Sequence, residues 1–288
     1  MKSTQGQPII KVDVPQIFQL QYDEAGREAV KKVLTDYKDT KAALVTLDIK
    51  SQGPVRGSNI YFRNAVVNAY RQITGENVHP INARESEIAL ANDTLTDPTS
   101  TYEDLGLIVY PKEGVNPNLW ENLREQVKSD FPNVKLSKPF VITGLMNVVK
   151  NSTYENGLGL NADELTEVYN VPILNRKTGK FDSSDKGLQK TGFPSKLGRG
   201  NRTLYVDNNN GVFGFYRYGN LSLNARGENL AGSNVNGRVN VVRNFSSGSL
   251  DERVAKLEQE RLKKEKELQQ QYELAVKQVR NIKLRRII

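Results

Sequence analysis

Apolar residues recur at helical spacing in three stretches of the first half of the chain. Val30, Val33, Leu34 and Tyr37 make one face, Phe62, Ala65, Val66, Ala69, Tyr70 and Ile73 a second, and Trp120, Leu123 and Val127 a third. Steps of three and four put each set on one side of an α-helix. Asn116-Pro117 predicts the start of the third: Asn caps a free amide, and Pro lacks the hydrogen that would go unpaired. Val45, Leu47 and Ile49 alternate like a strand. Leu105–Tyr110 and Pro139–Gly144 are nearly continuous apolar runs, as expected of strands covered on both faces. Strand–helix–strand order predicts a partly parallel sheet. Residues 75–104 are polar and predict an insertion, with a short helix near Glu85–Ala91.

The pattern changes after residue 149. Residues 150–200 carry turn signals such as Asn156-Gly157, Thr178-Gly179 and Thr191-Gly192, which predict loops with short strands. Residues 201–245 hold eleven Asn, six Gly, five Arg and no Lys, with short alternations at Leu221/Leu223 and Val239/Val241. That mixture describes strands and tight turns showing amides, hydroxyls and Tyr rings, a surface suited to binding rather than to catalysis. From Leu250 to Ile288 there is no Gly or Pro, and Ser249 and Glu252 have capping-box spacing. The expected fold class is α+β. An α/β-type body (1–149) with a partly parallel sheet precedes a β-rich Asn/Gly binding region (150–245), a linker (246–249) and a long C-terminal helix (250–288).

That helix carries an apolar seam through Leu250, Val254, Leu257, Leu268, Tyr272, Ala275, Val279 and Ile282. Arg261 and Lys264 interrupt it with a stutter, which locally relaxes a left-handed supercoil. The seam predicts an oligomerisation or docking helix, coiled-coil in kind; packing back on its own domain and a solvated single helix are the alternatives. Its end is basic: Lys277, Arg280, Lys283, Arg285 and Arg286. These cations suit the helix dipole, and equally a nucleic-acid phosphate or an acidic partner.

Composition narrows the chemistry. A net charge of +8 over 288 residues permits an anionic partner without demanding one. The absence of Cys excludes disulfides, thiolate metal sites and Cys nucleophiles, and a single His, His79, excludes a multi-His metal site. His79 precedes Pro80 and reads as a turn or surface residue; Trp120 reads as core. The chain holds neither a GxxxxGK[ST] phosphate loop nor a GxGxxG fingerprint. Ser51–Ser58, with Arg56, is the nearest approach to an anion-binding loop. The acidic pairs Glu85/Glu87 and Glu103/Asp104 read as solvated. No catalytic centre, cofactor or metal is expected. The first residues lack the apolar core of a signal peptide, and no stretch is a membrane span, so the expectation is a soluble protein of the virion or cytoplasm.

The runs Phe215–Ala225, Asn229–Ser233 and Gly237–Val242 resemble the variable segments of proteins diversified by retroelements in bacteria, archaea and their viruses. Members of that family commonly carry a C-type-lectin-like ligand-binding domain. The resemblance implies a framework of Leu221, Leu223, Ala225, Leu230, Ala231, Gly237, Arg238, Val239 and Val241. It implies ligand-binding display positions at Tyr216, Tyr218, Asn220, Ser222, Asn224, Asn229, Asn234 and Asn236. The expected function is that of a non-enzymatic structural or recognition protein in a larger assembly, such as a phage or virus particle. Its expected partners are copies of itself or other assembly proteins. The alternative is a nucleic-acid-binding protein that uses the basic C-terminal helix and Arg-rich loops such as Arg199–Arg202.

Overall fold

The computed structural model describes residues 16–43, 52–95, 99–175, 177–233 and 235–243. The expected strand at Val45–Ile49, the display position Asn234 and the whole C-terminal helix, with its seam and basic end, lie outside the described residues.

Strand β1 (Gln16–Gln19) leads into α1 (Glu24–Asp36) and α2 (Ile60–Thr74), the first two helices expected from their apolar faces. Asp23 accepts from the Gly26 amide and Asn59 from the Phe62 amide, each at 2.8 Å. Each cap satisfies a first-turn amide that the helix leaves unpaired. α2 stops at Gly75, whose φ of 68° is left-handed and costs glycine little. The polar stretch that follows is built rather than inserted. It holds β2 (Val78–Pro80) and α3 (Ala83–Ala91), which starts at a capping box of Asn82 and Glu85.

Next come β3 (Glu103–Val109), α4 (Pro117–Asp130) and β4 (Phe140–Thr143). α4 begins where Asn116-Pro117 predicts, but Asn116 does not cap it. Its φ of 55° is left-handed, whereas a capping residue needs extended backbone. Its amide instead donates to the carbonyls of Val212 and Glu228, at 2.9 and 3.1 Å. Glu155 takes over the cap, accepting from the Asn118 amide at 2.8 Å. The chain continues through β5 (Asn147–Lys150), β6 (Leu158–Asn161), β7 (Glu167–Asn170), β8 (Gly179–Phe181) and α5 (Lys186–Thr191). It closes with β9 (Arg202–Val206), β10 (Val212–Arg217), β11 (Leu223–Gly227) and β12 (Asn240–Arg243).

The class is α+β with a mixed main sheet of seven strands in the order β7-β4-β3-β10-β11-β9-β8. Two expectations are corrected here. β3 and β4 pair antiparallel, although α4 connects them, and the parallel pair of this sheet is β9–β11. The regions 1–149 and 150–245 also share one sheet, because β10 lies between β3 and β11. The apolar runs of β3 and β4 record cover on both faces, not strand direction. Leu107, Val109, Phe140 and Ile142 pack in one core with residues of α1, α2 and α4. Leu105, Ile108 and Val141 pack in a second core with Ala83 and Ala89 of α3 and Leu188 of α5. A smaller sheet, β1-β12-β2, pairs Gln16 with Arg243 and so joins the first and last described strands. Among the described residues no helix is long and apolar enough to cross a membrane.

One ion pair ties the second helical layer to the sheet. Glu87 of α3 and Arg202 of β9 are buried and meet through two bonds of 2.6 Å. The sequence predicts Glu87 as a solvated acid and Arg202 as part of a nucleic-acid loop; both expectations are corrected by their burial. β9 buries its alternate side chains, so Arg202 finds its partners inside, in the Glu87 carboxylate and the Leu221 carbonyl. Glu87→Ala should destabilise the fold by about 3–5 kcal/mol, because it strands the guanidinium. The double variant Glu87→Leu/Arg202→Met should lose clearly less. Urea unfolding of the three chains measures both; equal losses in the single and double variants would contradict the stranded-charge account.

Candidate ligand-binding site

The site begins with a register shift. β3 and β10 pair Glu103 with Arg217 and Asp104 with Tyr216, but Gly106 with Phe215. Leu105 is therefore an extra residue, a β-bulge. Leu107 and Val109 face the core under α1, α2 and α4, while Ile108 and Leu105 face the other. The bulge thus reverses the alternation, so Asp104 and Tyr216 emerge on the α2 side. Gly106 supplies the required backbone, at φ 146°.

A cavity of about 410 Å³ opens there, lined by Ile60, Tyr102, Asp104, Tyr216, Tyr218 and Leu230, among others. Gly214 of β10 lies opposite Gly227 of β11, and the missing side chains leave its floor hollow. A second cavity of about 400 Å³ adjoins it, sharing Tyr102 and Tyr218 and continuing to Thr99, Ser100, Thr101, Asn220 and Asn236. Together they form a two-lobed groove. Three tyrosines stand along it: the Tyr102 and Tyr216 rings are 6.2 Å apart and the Tyr216 and Tyr218 rings 6.3 Å. Tyr102 is fixed by its hydroxyl, which donates to the Ser58 carbonyl.

Five expected display residues gather here. Tyr216, Tyr218 and Asn229 line the first lobe or its rim, and Tyr218, Asn220 and Asn236 the second. Asn220 and Asn229 each accept a backbone amide two residues on, from Ser222 at 3.0 Å and Ala231 at 3.2 Å. Such turns hold the side chain and leave its NH₂ group for a ligand. Ser222 and Asn224 do not belong to the groove. Both are buried: Ser222 accepts from the Thr203 amide and Asn224 from the Arg226 amide. Asn224 lies on β11, an interior strand between β10 and β9, and Ser222 directly precedes that strand. Leu221 is not in a strand either. Its φ of 62° places it in the turn between β10 and β11.

The acidic pair Glu103/Asp104, expected in solvent, is buried. Glu103 is 0% exposed and accepts from the Asn240 backbone amide and from the Asn240 side chain. Arg217 hydrogen-bonds Ser86 at 2.7 Å, and Arg63 donates to the Asp104 carbonyl. Burial pushes the Glu103 carboxyl up to about 8, with Arg217 and Arg63 opposing. Burial likewise raises Asp104 to about 6, against the pull of Arg63 and a hydrogen bond from Ser58. The sequence marked neither residue as functional; its one signal was a pair of charges heading a strand apolar on both faces. Glu87 is buried as well, and Glu85 sits half-buried 3.3 Å from His79. His79 lies in β2 rather than in a surface turn. Amides of the anion-loop candidate are already spent, Val55 on Leu20 and Gly57 on Gly237. Trp120 packs against the core and donates to the Tyr110 carbonyl at 2.8 Å. Among the described residues no group of three or more His, Asp or Glu side chains gathers to hold a metal.

Glu103 gives stability a pH dependence of definite sign. The unfolded chain releases this proton near the ordinary 4.5, and the folded one near 8. Between those values the folded state binds more protons, so stability falls as pH rises, by at most about 1.4 kcal/mol per pH unit. Glu103→Gln mimics the neutral acid, provided the Asn240 amide turns to present its oxygen. It should flatten the decline between pH 5 and 8 and match or exceed the parent stability at pH 8. Urea unfolding at both pH values tests this; a variant that weakens the fold at pH 8 and keeps the slope would show an ionised Glu103. No protein family, curated protein or solved structure matches this chain.

Proposed function

We propose that this protein is a non-enzymatic recognition component of a larger assembly, with the two-lobed groove as its binding surface. The convergence of Tyr216, Tyr218, Asn220, Asn229 and Asn236 on that groove carries the reading. Tyr and Asn offer contact area and adaptable hydrogen bonds at low entropic cost. Exposed apolar surface lies in the same place. Among the described residues the exposed large hydrophobics are Tyr218, at 52%, and Val235, at 65%, next to Asn236. The resemblance to retroelement-diversified segments gives these positions a purpose, since a varied set of side chains on a fixed frame alters what is bound. Segment 250–288, through its seam of Leu250 to Ile282, would assemble copies or dock them on a particle, and a phage or virus particle suits that arrangement.

Two measurements test the reading. Tyr218→Ser, Asn220→Ser, Asn229→Ser and Asn236→Ser should each shift unfolding free energy by less than about 1 kcal/mol, whereas Leu223→Ala should cost about 2–5 kcal/mol. Display variants that unfold the protein would remove the distinction between surface and frame. Light scattering should find a salt-resistant oligomer in the full chain and its loss in residues 1–248. A monomer that carries salt-releasable nucleic acid would favour the basic C-terminal segment as a phosphate-binding element instead.

A further inference from the structure

The first lobe of the groove differs from the second. The second is lined by hydroxyls, amides and tyrosines and carries no charge. The first has a carboxylate, Asp104, in its wall, only 8% exposed. Among the described residues Ser58 alone donates to that carboxylate, to one oxygen at 3.3 Å. An ionised carboxylate can accept about four hydrogen bonds, so most of its capacity is unspent. The nearby guanidinium does not spend it. Arg63 directs its donors to the Asp104 carbonyl, the Ile81 carbonyl and the Asn64 side chain. A buried anion lacking a cation in contact is costly; it takes up a proton more readily, as Asp104 does, or gains a counter-charge.

The aromatic wall has the shape for one. Tyr102 meets Tyr216 at 70° and Tyr216 meets Tyr218 at 56°. All three rings line the first lobe, and the face of an aromatic ring attracts a compact cation. Ile60, Leu230 and the paired Gly214 and Gly227 leave apolar room for a hydrocarbon stem. A Cβ at Gly214 would make ordinary contacts, the nearest at 3.5 Å, so a side chain can be introduced there without a clash. The rim adds a second carboxylate, Glu228, which accepts from Asn209 at 3.0 Å.

We propose that the first lobe binds an alkylammonium or guanidinium group, seated against Asp104 and walled by Tyr102, Tyr216 and Tyr218. The inference rests on the reading of the groove as a binding surface and names the chemistry it takes. The group comes either from a free amine or from a Lys or Arg side chain of a partner protein. Binding weakens in acid, because Asp104 takes up its proton near pH 6. Arg63 of α2 pulls on Asp104, Glu103 neighbours it on the same strand, Tyr102, Tyr216, Tyr218 and Glu228 share its lobe, and Arg226 acts on Tyr216.

Saturation-transfer NMR on the full chain tests this with butylammonium, butylguanidinium, 1-butanol and butyrate. Both cations should bind at pH 7.5, about tenfold or more tighter than 1-butanol, and butyrate should not bind. Asp104→Asn should lower cation affinity by about tenfold and leave 1-butanol unchanged. Gly214→Val, which fills the lobe without touching the carboxylate, should abolish binding of every probe and serves if the Asp104 variant misfolds. A capped Lys tripeptide that binds tighter than butylammonium identifies a protein side chain as the source; equal affinity identifies a free amine. Equal binding of 1-butanol and butylammonium, or an Asp104→Asn chain that keeps its cation affinity, overturns the inference. Either result leaves the groove as a binding surface of other chemistry. Silence from all four probes overturns it as well, while the display variants and the truncation judge the broader reading separately.

Discussion

Among the described residues Arg63, Arg202 and Arg217 are the most deeply buried arginines, and their need for partners fixes how the layers meet. Arg63 of α2 reaches the carbonyls of Asp104 and Ile81, Arg217 of β10 reaches Ser86 of α3, and Arg202 of β9 reaches Glu87 of α3 and the Leu221 carbonyl. A guanidinium taken out of water costs several kcal/mol unless hydrogen bonds and opposite charge surround it, and that condition is met at few positions. α2 cannot slide along β3, nor α3 along β9 and β10, without stranding a charge. Apolar packing alone tolerates such slips far better, since any similar side chain fills a similar space. Glu103 and Asp104 are buried in the same layer, where Arg217 and Arg63 oppose, without cancelling, the upward push of burial on their carboxyls.

The groove sits on top of this layer and inherits its rigidity. The bulge at Leu105 carries Asp104 from the α3 side of the sheet to the α2 side, where Tyr216 stands opposite. A regular strand would have sent Asp104 into the second core. Gly106 cannot be replaced cheaply, since a Cβ there would lie 2.6 Å from the Ile142 carbonyl. Strained or special backbone of this kind persists where the surrounding structure enforces it. Here the enforcement is visible in β4, which pairs Ile142 with Leu107 directly beside the bulge.

Helix faces were legible in the sequence because periodicity is a local property: the Val30, Phe62 and Trp120 patterns each became a helix. Strand direction was not, because an apolar run says that both faces are covered and nothing about which way the neighbour runs. The buried charges were illegible for a related reason. Glu103 finds Asn240 across 137 residues and Arg202 finds Glu87 across 115, so composition alone reads each as a solvated ion. Half-buried Tyr216 and exposed Asn220, Asn229 and Asn236 share the Asn/Tyr pattern with Ser222 and Asn224, which are buried, so the pattern alone does not say which side chains reach the surface. Tyr102 and Asp104 complete the groove from a strand more than a hundred residues earlier, and no local motif pointed to them.

The loops that carry Tyr218, Asn220 and Asn236 are held by something other than those side chains. The backbone does this. Tyr102 donates to the Asn236 carbonyl, Arg238 to the Tyr102 carbonyl and Gly57 to the Gly237 carbonyl. Tyr218 donates to Ser222 and Leu221 to Tyr218, closing the hairpin turn. Gly237 is packed so closely that a Cβ would lie 2.6 Å from the Tyr102 hydroxyl and 2.8 Å from the Ser58 amide. These contacts use main-chain atoms and glycines, which do not change when Tyr218, Asn220 or Asn236 does. A surface whose frame is main chain and whose contacts are side chains can alter its ligand without refolding.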